Sequence, residues 1–519
     1  MERFFLSRRS VSQDGNNGVS GFSFDDVIAF AIVMAVVLLA RGTALVALNW
    51  MGDDYSLIQD PGGRGVIAAN IAMLRSSGSF ATWLAQWLGA VHPTLGSFWT
   101  VLTAASMAVF GLALCRFWSP GSAPLVAVIT ALLFALFPGQ SNLFAYHMMH
   151  PAMIINYGLA SFALLSYRRG GIWTLMSTAA IAFALGYQTM LSLFLVAGLL
   201  LPLFEFVSSC RDSLTVPQAL MRSMKSLAQY MLVLLSGILI YFLLGKLLLL
   251  LTATSQSGRT VLAGPSLWPQ KLNLLAAHLR RMLAGRGEAS LPAQIKAVQC
   301  LLLANACLAW LLAVQPRARS FRLPWLQILL LAVLLLLAAC AIPVPALLVV
   351  NTQENPRNLM ATSVFWSGIF CLACTAGPIL FRRTALILGS VIVLAYAIIT
   401  NTISVDYGRL IQRQHLLASR IVERLSLQPG FAGLRTVVVV GTSADLSRDL
   451  RSVDQVWPSL DSYIGAAVLR EVSGTPLQTP AAADEQRARE FSRGMRSWPE
   501  PGSTAISDDL GIVVLQRKP

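Results

Sequence analysis

The sequence predicts an α-helical polytopic membrane protein of about eleven transmembrane helices, ending in a small extracytoplasmic α/β domain. Three observations carry that prediction. Of the 519 residues 55% are hydrophobic and only 12% are charged, against roughly 25% charged in a soluble domain. The apolar residues come in long runs, several near the about 20 residues that cross a bilayer as a helix. The basic residues fall on alternate connections between those runs, as expected where Lys and Arg are retained in cytoplasmic loops. That pattern accounts for the net charge of +15 without nucleic acid, which would call for a basic, aromatic-bearing soluble face.

Residues 1–22 are rich in Gly, Ser and Asn, carry Arg3, Arg8 and Arg9, and read as a disordered cytoplasmic tail. Ser23 with Asp26 resembles a capping box and opens the first span, Val27 to Leu48. This run is too long for the apolar segment of a cleaved signal peptide and lacks a small-residue cleavage site, so it reads as a signal anchor. Further spans are expected at 95–115, 122–138, 151–167, 172–187, 189–207, 228–251, 296–314, 324–342, 358–381 and 384–402. The fifth and sixth are divided at Gly186-Tyr187-Gln188.

With the N-terminus in the cytoplasm, five successive cytoplasmic connections hold Arg116; Arg168-Arg169; Arg211, Arg222 and Lys225; Arg317, Arg319 and Arg322; and Arg382-Arg383. The short opposite loops, 139–150 and 343–357, hold only Arg357. The positive-inside rule therefore predicts three outward segments: 52–94, 253–294 and the tail from 403. Within the first, Ile67, Ile71, Leu74, Trp83 and Trp87 recur near helical spacing and predict one or two surface helices over Val66–Leu88. The second contains the stretch Leu267–Leu283 with Lys271, His278, Arg280 and Arg281, and Arg286 just beyond; it is basic against the topological bias.

The chain thus divides into a tail (1–22), a membrane domain (23–402) and an outward portion (403–519). That portion begins with an amphipathic helix from Asp406 to Leu427. Thr436–Val440 then predicts a buried strand, Ser443–Val453 and Tyr463–Val472 predict helices, and Gly511–Leu515 a closing strand. The turn Gly441-Thr442-Ser443 could cradle a phosphate at a helix N-terminus, but without a full Gly-rich fingerprint it reads as a plain connection. Cys371 and Cys374 have a C-x-x-C spacing inside an apolar span, which points to helix packing rather than metal or redox chemistry.

Four features compete for chemistry. Asp53-Asp54, followed by Tyr55, stands where the first span meets water; it reads either as a solvated interfacial turn with belt aromatics or as a carboxylate pair for acid–base work. Arg41 lies about 21 Å along the first span from Val27 at 1.5 Å per residue, and an intramembrane Arg usually faces the bundle or a wet cavity. Arg357 with Glu354, and the basic 271–286 segment including Arg280 and Arg281, offer cations suited to phosphate, or a solvated loop with a local ion pair. His147 and His150 have no carboxylate or thiol companion nearby, which leaves too few ligands for a metal site. Together the four suit transfer from a lipid-linked phosphosugar: a carboxylate takes the acceptor's proton and cations stabilise the departing phosphate.

Asp53-Asp54-Tyr55, the stretch Leu185-Gly186-Tyr187-Gln188, and Asn355-Pro356-Arg357 ahead of a late span resemble the C-type superfamily of integral-membrane glycosyltransferases. The closer resemblance is to the Gtr-type glucosyltransferases that modify bacterial O-antigen. It implies an inverting transfer of glucose or another hexose from an undecaprenyl-phosphate-linked donor to an envelope glycan such as lipopolysaccharide O-antigen. It also implies a site on the periplasmic side of the inner membrane and no obligatory metal or other cofactor. It makes Asp53 the base and Asp54 its orienting neighbour, a choice geometry alone does not make. Arg41, Tyr55, Tyr187, Gln188, Arg280, Arg281, Glu354 and Arg357 are the expected substrate-binding residues. One departure stands out: the family often has Gly-Arg-Pro before its second span, where this chain has Ala90-Val91-His92-Pro93. The rival readings are a lipid or glycan flippase, which predicts paired broken helices in two related halves, and a non-catalytic partner in envelope assembly.

Overall fold

The computed structural model describes residues 24–42, 45, 96–145, 147–186, 189–212, 214–251, 263–283, 291–314, 324–350, 359–447, 450, 460 and 465–516. The tail (1–22), the acidic pair and the surface helices expected over 66–88 lie outside them.

A helix stands at each of the eleven stretches where a span is expected, with three further helices, α4, α9 and α12, between them: α1 (Phe24–Ala40), α2 (Gly96–Trp118), α3 (Pro124–Ala135), a short α4 (Ser141–Ala145), α5 (His150–Arg169), α6 (Ile172–Ala184), α7 (Thr189–Arg211), α8 (Val216–Leu251), α9 (Trp268–Leu283), α10 (Ala293–Val314), α11 (Pro324–Ala341), a short α12 (Val344–Leu348), α13 (Ala361–Ala376) and α14 (Ile379–Ser426). Among the described residues, α2, α7, α8, α10 and α14 are long and apolar enough in themselves to cross a bilayer; α3 with the segment to Ala145 forms a sixth, bent by 53°; α6, α11 and α13 are shorter apolar helices.

The described basic connections cap one end of the bundle, here called the lower end. Arg116, in the last turn of α2, donates Nε to Asp26 Oδ1 at 3.1 Å and a second nitrogen to the Pro120 and Ser122 carbonyls at 3.0 Å each. Asp26 sits in the first turn of α1, where a carboxylate also opposes the helix dipole's positive end; its partner is Arg116, whatever capping role the sequence suggested. Arg168 donates to the Phe117 and Trp118 carbonyls and pairs with Glu205. Arg211 reaches the Thr375 and Ala376 carbonyls. Arg168 and Arg211 thus satisfy carbonyls that a helix C-terminus leaves without partners, while Arg116 holds the loop that follows α2. Gly170 and Gly171, at φ 69° and 58°, turn α5 into α6 there.

Helix contacts are close where small residues meet. A Cβ on Gly111 of α2 would lie 2.6 Å from the Ala131 Cα of α3, so only glycine permits that approach, a device usual between membrane helices.

Four boundaries differ from expectation. The break after α13 falls at Gly377-Pro378 rather than at Arg382-Arg383, because Pro378 cannot continue a helix. Helix α8 begins at Val216, so Arg222 and Lys225 lie in its opening turns rather than in a loop. The 139–150 connection is not open loop but a 3-10 turn, α4, a second 3-10 turn and the start of α5. The amphipathic helix expected from Asp406 is no separate element: α14 runs unbroken for 48 residues, roughly 72 Å at 1.5 Å per residue. Its buried stripe, from Ala385, Gly389, Ile392 and Tyr396 through Thr400, Ile403, Tyr407 and Leu410 to Gln414, Ala418, Ile421 and Leu425, never leaves one face. Its lower half packs on the bundle and its upper half on the C-terminal domain.

That domain adds α15 (Gly465–Ser473), α16 (Ala482–Phe491) and the strands β1 (Thr436–Val440), β2 (Thr504–Ser507) and β3 (Leu510–Val514). The sheet order is β1-β3-β2, with β1 and β3 parallel and β2 antiparallel at the other side. Alternation divides it as the pleat requires. Val437, Val513 and Leu515 join Ala418, Ile421, Leu425, Val468 and Leu469 on the face under α14 and α15, while Val438, Leu510 and Ile512 meet Ala488 of α16 on the other. The helix expected over Ser443–Val453 reduces to a 3-10 turn at Ala444–Leu446; residues 448–449 and 451–453 lie outside the described set.

Candidate functional site

Polar side chains gather at the upper end, where α1 and α3 stop and α5 and α13 begin. Arg41 is 0% exposed. Its guanidinium donates to the Ala135 carbonyl at 3.3 Å, reaches Ser141 Oγ at 3.5 Å, and lies 3.8 Å from the centre of the Phe144 ring. Among the described residues its Nε has no hydrogen-bond partner. The local cause is Pro138: it ends the helical path of α3 at Leu136 and turns the chain into the 3-10 segment Pro138–Gln140 and α4. The bend frees the Ala135 carbonyl from helical pairing and swings Ser141 and Phe144 over the end of α1.

Around this centre the contacts continue. Tyr157 donates to Gln140 Oε1 at 3.0 Å and lies 3.7 Å from Met360 Sδ. Gln140 donates to the Phe134 carbonyl at 2.9 Å and to Ser363 Oγ at 3.4 Å, which ties the start of α13 to the bend. His150 stacks edge-on with Phe144 at 5.8 Å and with His147 at 5.1 Å. No group of three His, Cys, Asp or Glu is arranged to hold a metal among the described residues. Ala145 packs with Ile403, Tyr407 and Leu410 of α14, alongside Asp406, which is buried and 3.8 Å from Arg409.

A second cluster is built by α9, which turns polar side chains inward. Leu272 and Trp268 are 59% and 58% exposed, whereas Lys271, His278 and Met282 form the buried face. Lys271 donates to the Ala346 and Val349 carbonyls, at 3.2 and 2.6 Å, pinning α9 to α12 and the residue beyond it. Lys296, in the first turns of α10, donates to the Arg281 carbonyl. Burial first, then the neighbouring charges of Arg281 and Lys296, push the His278 imidazole down to about 4; both its ring nitrogens are buried without hydrogen-bond partners among the described residues. Lys271 thus joins α9 to α12, while Arg281, Lys296 and a His278 held neutral meet where α9 faces α10.

Of the residues expected from sequence, the structure puts Arg41 in the first cluster and Arg281, partly buried, in the second; Arg280 is exposed on the outer face of α9. Asp53, Asp54, Tyr55, Tyr187, Gln188, Glu354 and Arg357 lie outside the described residues. Their described neighbours are at the upper end: α1 ends beside α3 at Arg41, α6 returns antiparallel to α5 and ends at Ala184, and Met360 meets Tyr157. Sequence reasoning missed Gln140, Tyr157, Lys296 and Asp406 as site members. Lys296 carried a signal, a single cation near the start of an otherwise apolar 22-residue helix; Gln140 and Tyr157 carried none, since their meeting depends on the bend.

A family described as glucosyl transferase GtrII matches residues 42–373, more than half of the chain. No curated protein and no solved structure matches it.

Proposed function

The chain belongs to the glucosyl transferase GtrII family, and we propose that it moves a hexose from a polyprenyl-phosphate carrier to an envelope glycan at the periplasmic face of the inner membrane. It is a membrane glycosyltransferase; the donor, acceptor and side are this proposal. The observation that carries it is Arg41, wholly buried, with an Nε lacking a partner among the described residues, twelve positions before Asp53. A buried guanidinium that is not fully paired is costly and is suited to an anionic ligand that completes its shell.

In this reading eleven helices cross the membrane, with the arginine-capped lower end in the cytoplasm, as the basic connections favour. The acceptor hydroxyl gives its proton to Asp53 as its oxygen forms a bond to the sugar's anomeric carbon. The bond from that carbon to the carrier phosphate breaks, and the polyprenyl phosphate leaves with the electron pair. Asp54 orients the base or the acceptor. Arg357 and the cluster around Arg280 and Arg281 neutralise the leaving phosphate, with Arg41 supporting it from below. Tyr55, Tyr187, Gln188 and Glu354 hold the sugar. No step calls for a cofactor.

The test is turnover by purified protein given undecaprenyl-phosphate-linked glucose and an O-antigen acceptor. Asp53→Asn keeps size but removes the proton acceptor, and a general base typically contributes about 10²–10⁴-fold. Loss of that order with donor binding intact supports the assignment; full turnover in Asp53→Asn removes it. If Asp54→Asn alone is inactive, the two roles are exchanged.

A further inference from the structure

The family match ends at residue 373, yet the chain builds a pocket beyond it, between the upper part of α14 and the C-terminal domain. The pocket has a volume of about 350 Å³, within the roughly 300–1,000 Å³ of small-ligand sites. Arg413 and Arg420 form one wall, two turns apart on α14; Trp498 and Leu515 supply apolar surface, and Gln516 closes the far side. We propose that this pocket is a glycan-binding subsite that holds an acidic sugar unit of the acceptor, away from the transfer chemistry. The proposal rests on the transferase reading for the word acceptor, but not for the binding itself.

The pocket is held in shape before any ligand arrives. Arg413 donates to the Leu446 carbonyl at 2.9 Å, which sets its side chain along the wall. Trp498 donates its backbone N–H to the Val514 carbonyl at 2.8 Å, and the Arg424 guanidinium stacks 4.1 Å from its ring centre. Arg424 is itself fixed by Ser503 Oγ at 3.2 Å and the Glu500 carbonyl at 3.3 Å. The far side depends on Gly441 at φ +107°, where a Cβ would lie 2.7 Å from the Gln516 carbonyl oxygen. That approach lets the Thr442 N–H donate to the same oxygen at 2.8 Å. A site ordered in advance loses less entropy on binding.

The lining selects among anions. An aromatic ring with apolar surface beside it suits the C–H face of a sugar, and hydroxyl groups find the Gln516 amide and the exposed Asp445 carboxylate at the rim. Two guanidiniums against one carboxylate leave an excess of positive charge, and Arg420, exposed, forms no ion pair among the described residues. Arg binds carboxylate through a planar fork. A bare phosphate would make no use of Trp498. A lipid headgroup is too low: taking 384–402 as the crossing part of α14, Arg413 and Arg420 stand roughly 16 and 27 Å beyond it at 1.5 Å per residue. At that height a soluble polymer is within reach and a bilayer surface is not.

The test uses the full-length protein in nanodiscs, titrated by calorimetry with a glucuronate-containing tetrasaccharide, a neutral glucose tetrasaccharide and inorganic phosphate. The acidic oligosaccharide is expected to bind about tenfold tighter than the neutral one, and Arg420→Gln to erase about tenfold of its affinity, the equivalent of one charge-assisted contact. Arg420 is exposed and makes no hydrogen bond or ion pair among the described residues, so this variant is expected to fold as the wild type does; Trp498→Leu is the second, expected to weaken both oligosaccharides. Equal binding of the two oligosaccharides, unchanged affinity in Arg420→Gln, or complete competition by phosphate at its own affinity overturns the subsite. Asp53→Asn is expected to bind the acidic oligosaccharide as the wild type does. If the wild type binds that glycan yet consumes no lipid-linked donor, the transfer reading falls and the pocket stands.

Discussion

Arg41→Met separates a binding role for this residue from a packing role. Among the described residues the guanidinium makes one rather long hydrogen bond, to the Ala135 carbonyl at 3.3 Å, a marginal one to Ser141 Oγ at 3.5 Å, and a ring contact with Phe144. A hydrogen bond from a charged group contributes about 1.5–3 kcal/mol, and a desolvated cation–π contact about 2 kcal/mol. Their sum, about 4 kcal/mol, is close to the several kcal/mol that burying the charge costs. Methionine keeps most of the apolar length, so the fold is expected to lose about 1 kcal/mol or less. Turnover behaves differently. If the guanidinium completes its shell on the donor, its removal costs about 10²-fold, as for other preorganised electrostatic donors. Thermal unfolding in detergent and turnover with lipid-linked glucose, measured on the same preparation, give both numbers. A variant that is several kcal/mol less stable but turns over normally would refute the reasoning and make Arg41 a bundle strut.

Arg357→Ala is expected to weaken donor binding more than acceptor binding; unchanged donor affinity removes it from the phosphate site. Reporter fusions after Arg169 and after Leu427 should report opposite sides of the membrane, and two cytoplasmic signals would break the topology. His278 predicts a pH effect. Its folded pKa of about 4 lies below the ordinary 6.5, so the unfolded chain binds the extra proton first. Stability is complete above about pH 6.5 and falls as pH drops towards 4, by about 2 kcal/mol between pH 7.5 and pH 5. Hydrogen exchange across α9 reads this loss, and His278→Leu should flatten it; an equal slope in the variant would assign the effect elsewhere.

Much of the architecture was legible because membrane segments obey short-range rules. Apolar runs of the right length, proline and glycine at their ends, and arginines on alternate connections marked where helices stand, and the Thr436–Val440 and Gly511–Leu515 runs marked two strands, which the fold sets side by side and parallel. Other elements left little trace. Strand β2, Thr504–Ser507, is short and only partly buried, and it exists because β3 offers it an edge. Helix α16 is polar over most of its surface and buries only Ala488, so no apolar stripe announced it.

What the sequence by itself determined is a set of candidate residues for chemistry: Arg41 in an apolar run, the acidic pair after it, and cations near Arg280. Tertiary structure decided which of these meet. The bend at Pro138 brings Ser141 and Phe144 to Arg41, and the inward turn of the polar face of α9 buries Lys271 and His278 while leaving leucines exposed. The unbroken stripe of α14 sets Arg413 and Arg420 opposite Trp498. In each case a side chain's partner lies on a different element, as far as 100 residues away for Arg41 and Ser141. Local periodicity records which face of a helix is apolar, but the neighbour that covers a face is chosen by packing across the whole fold.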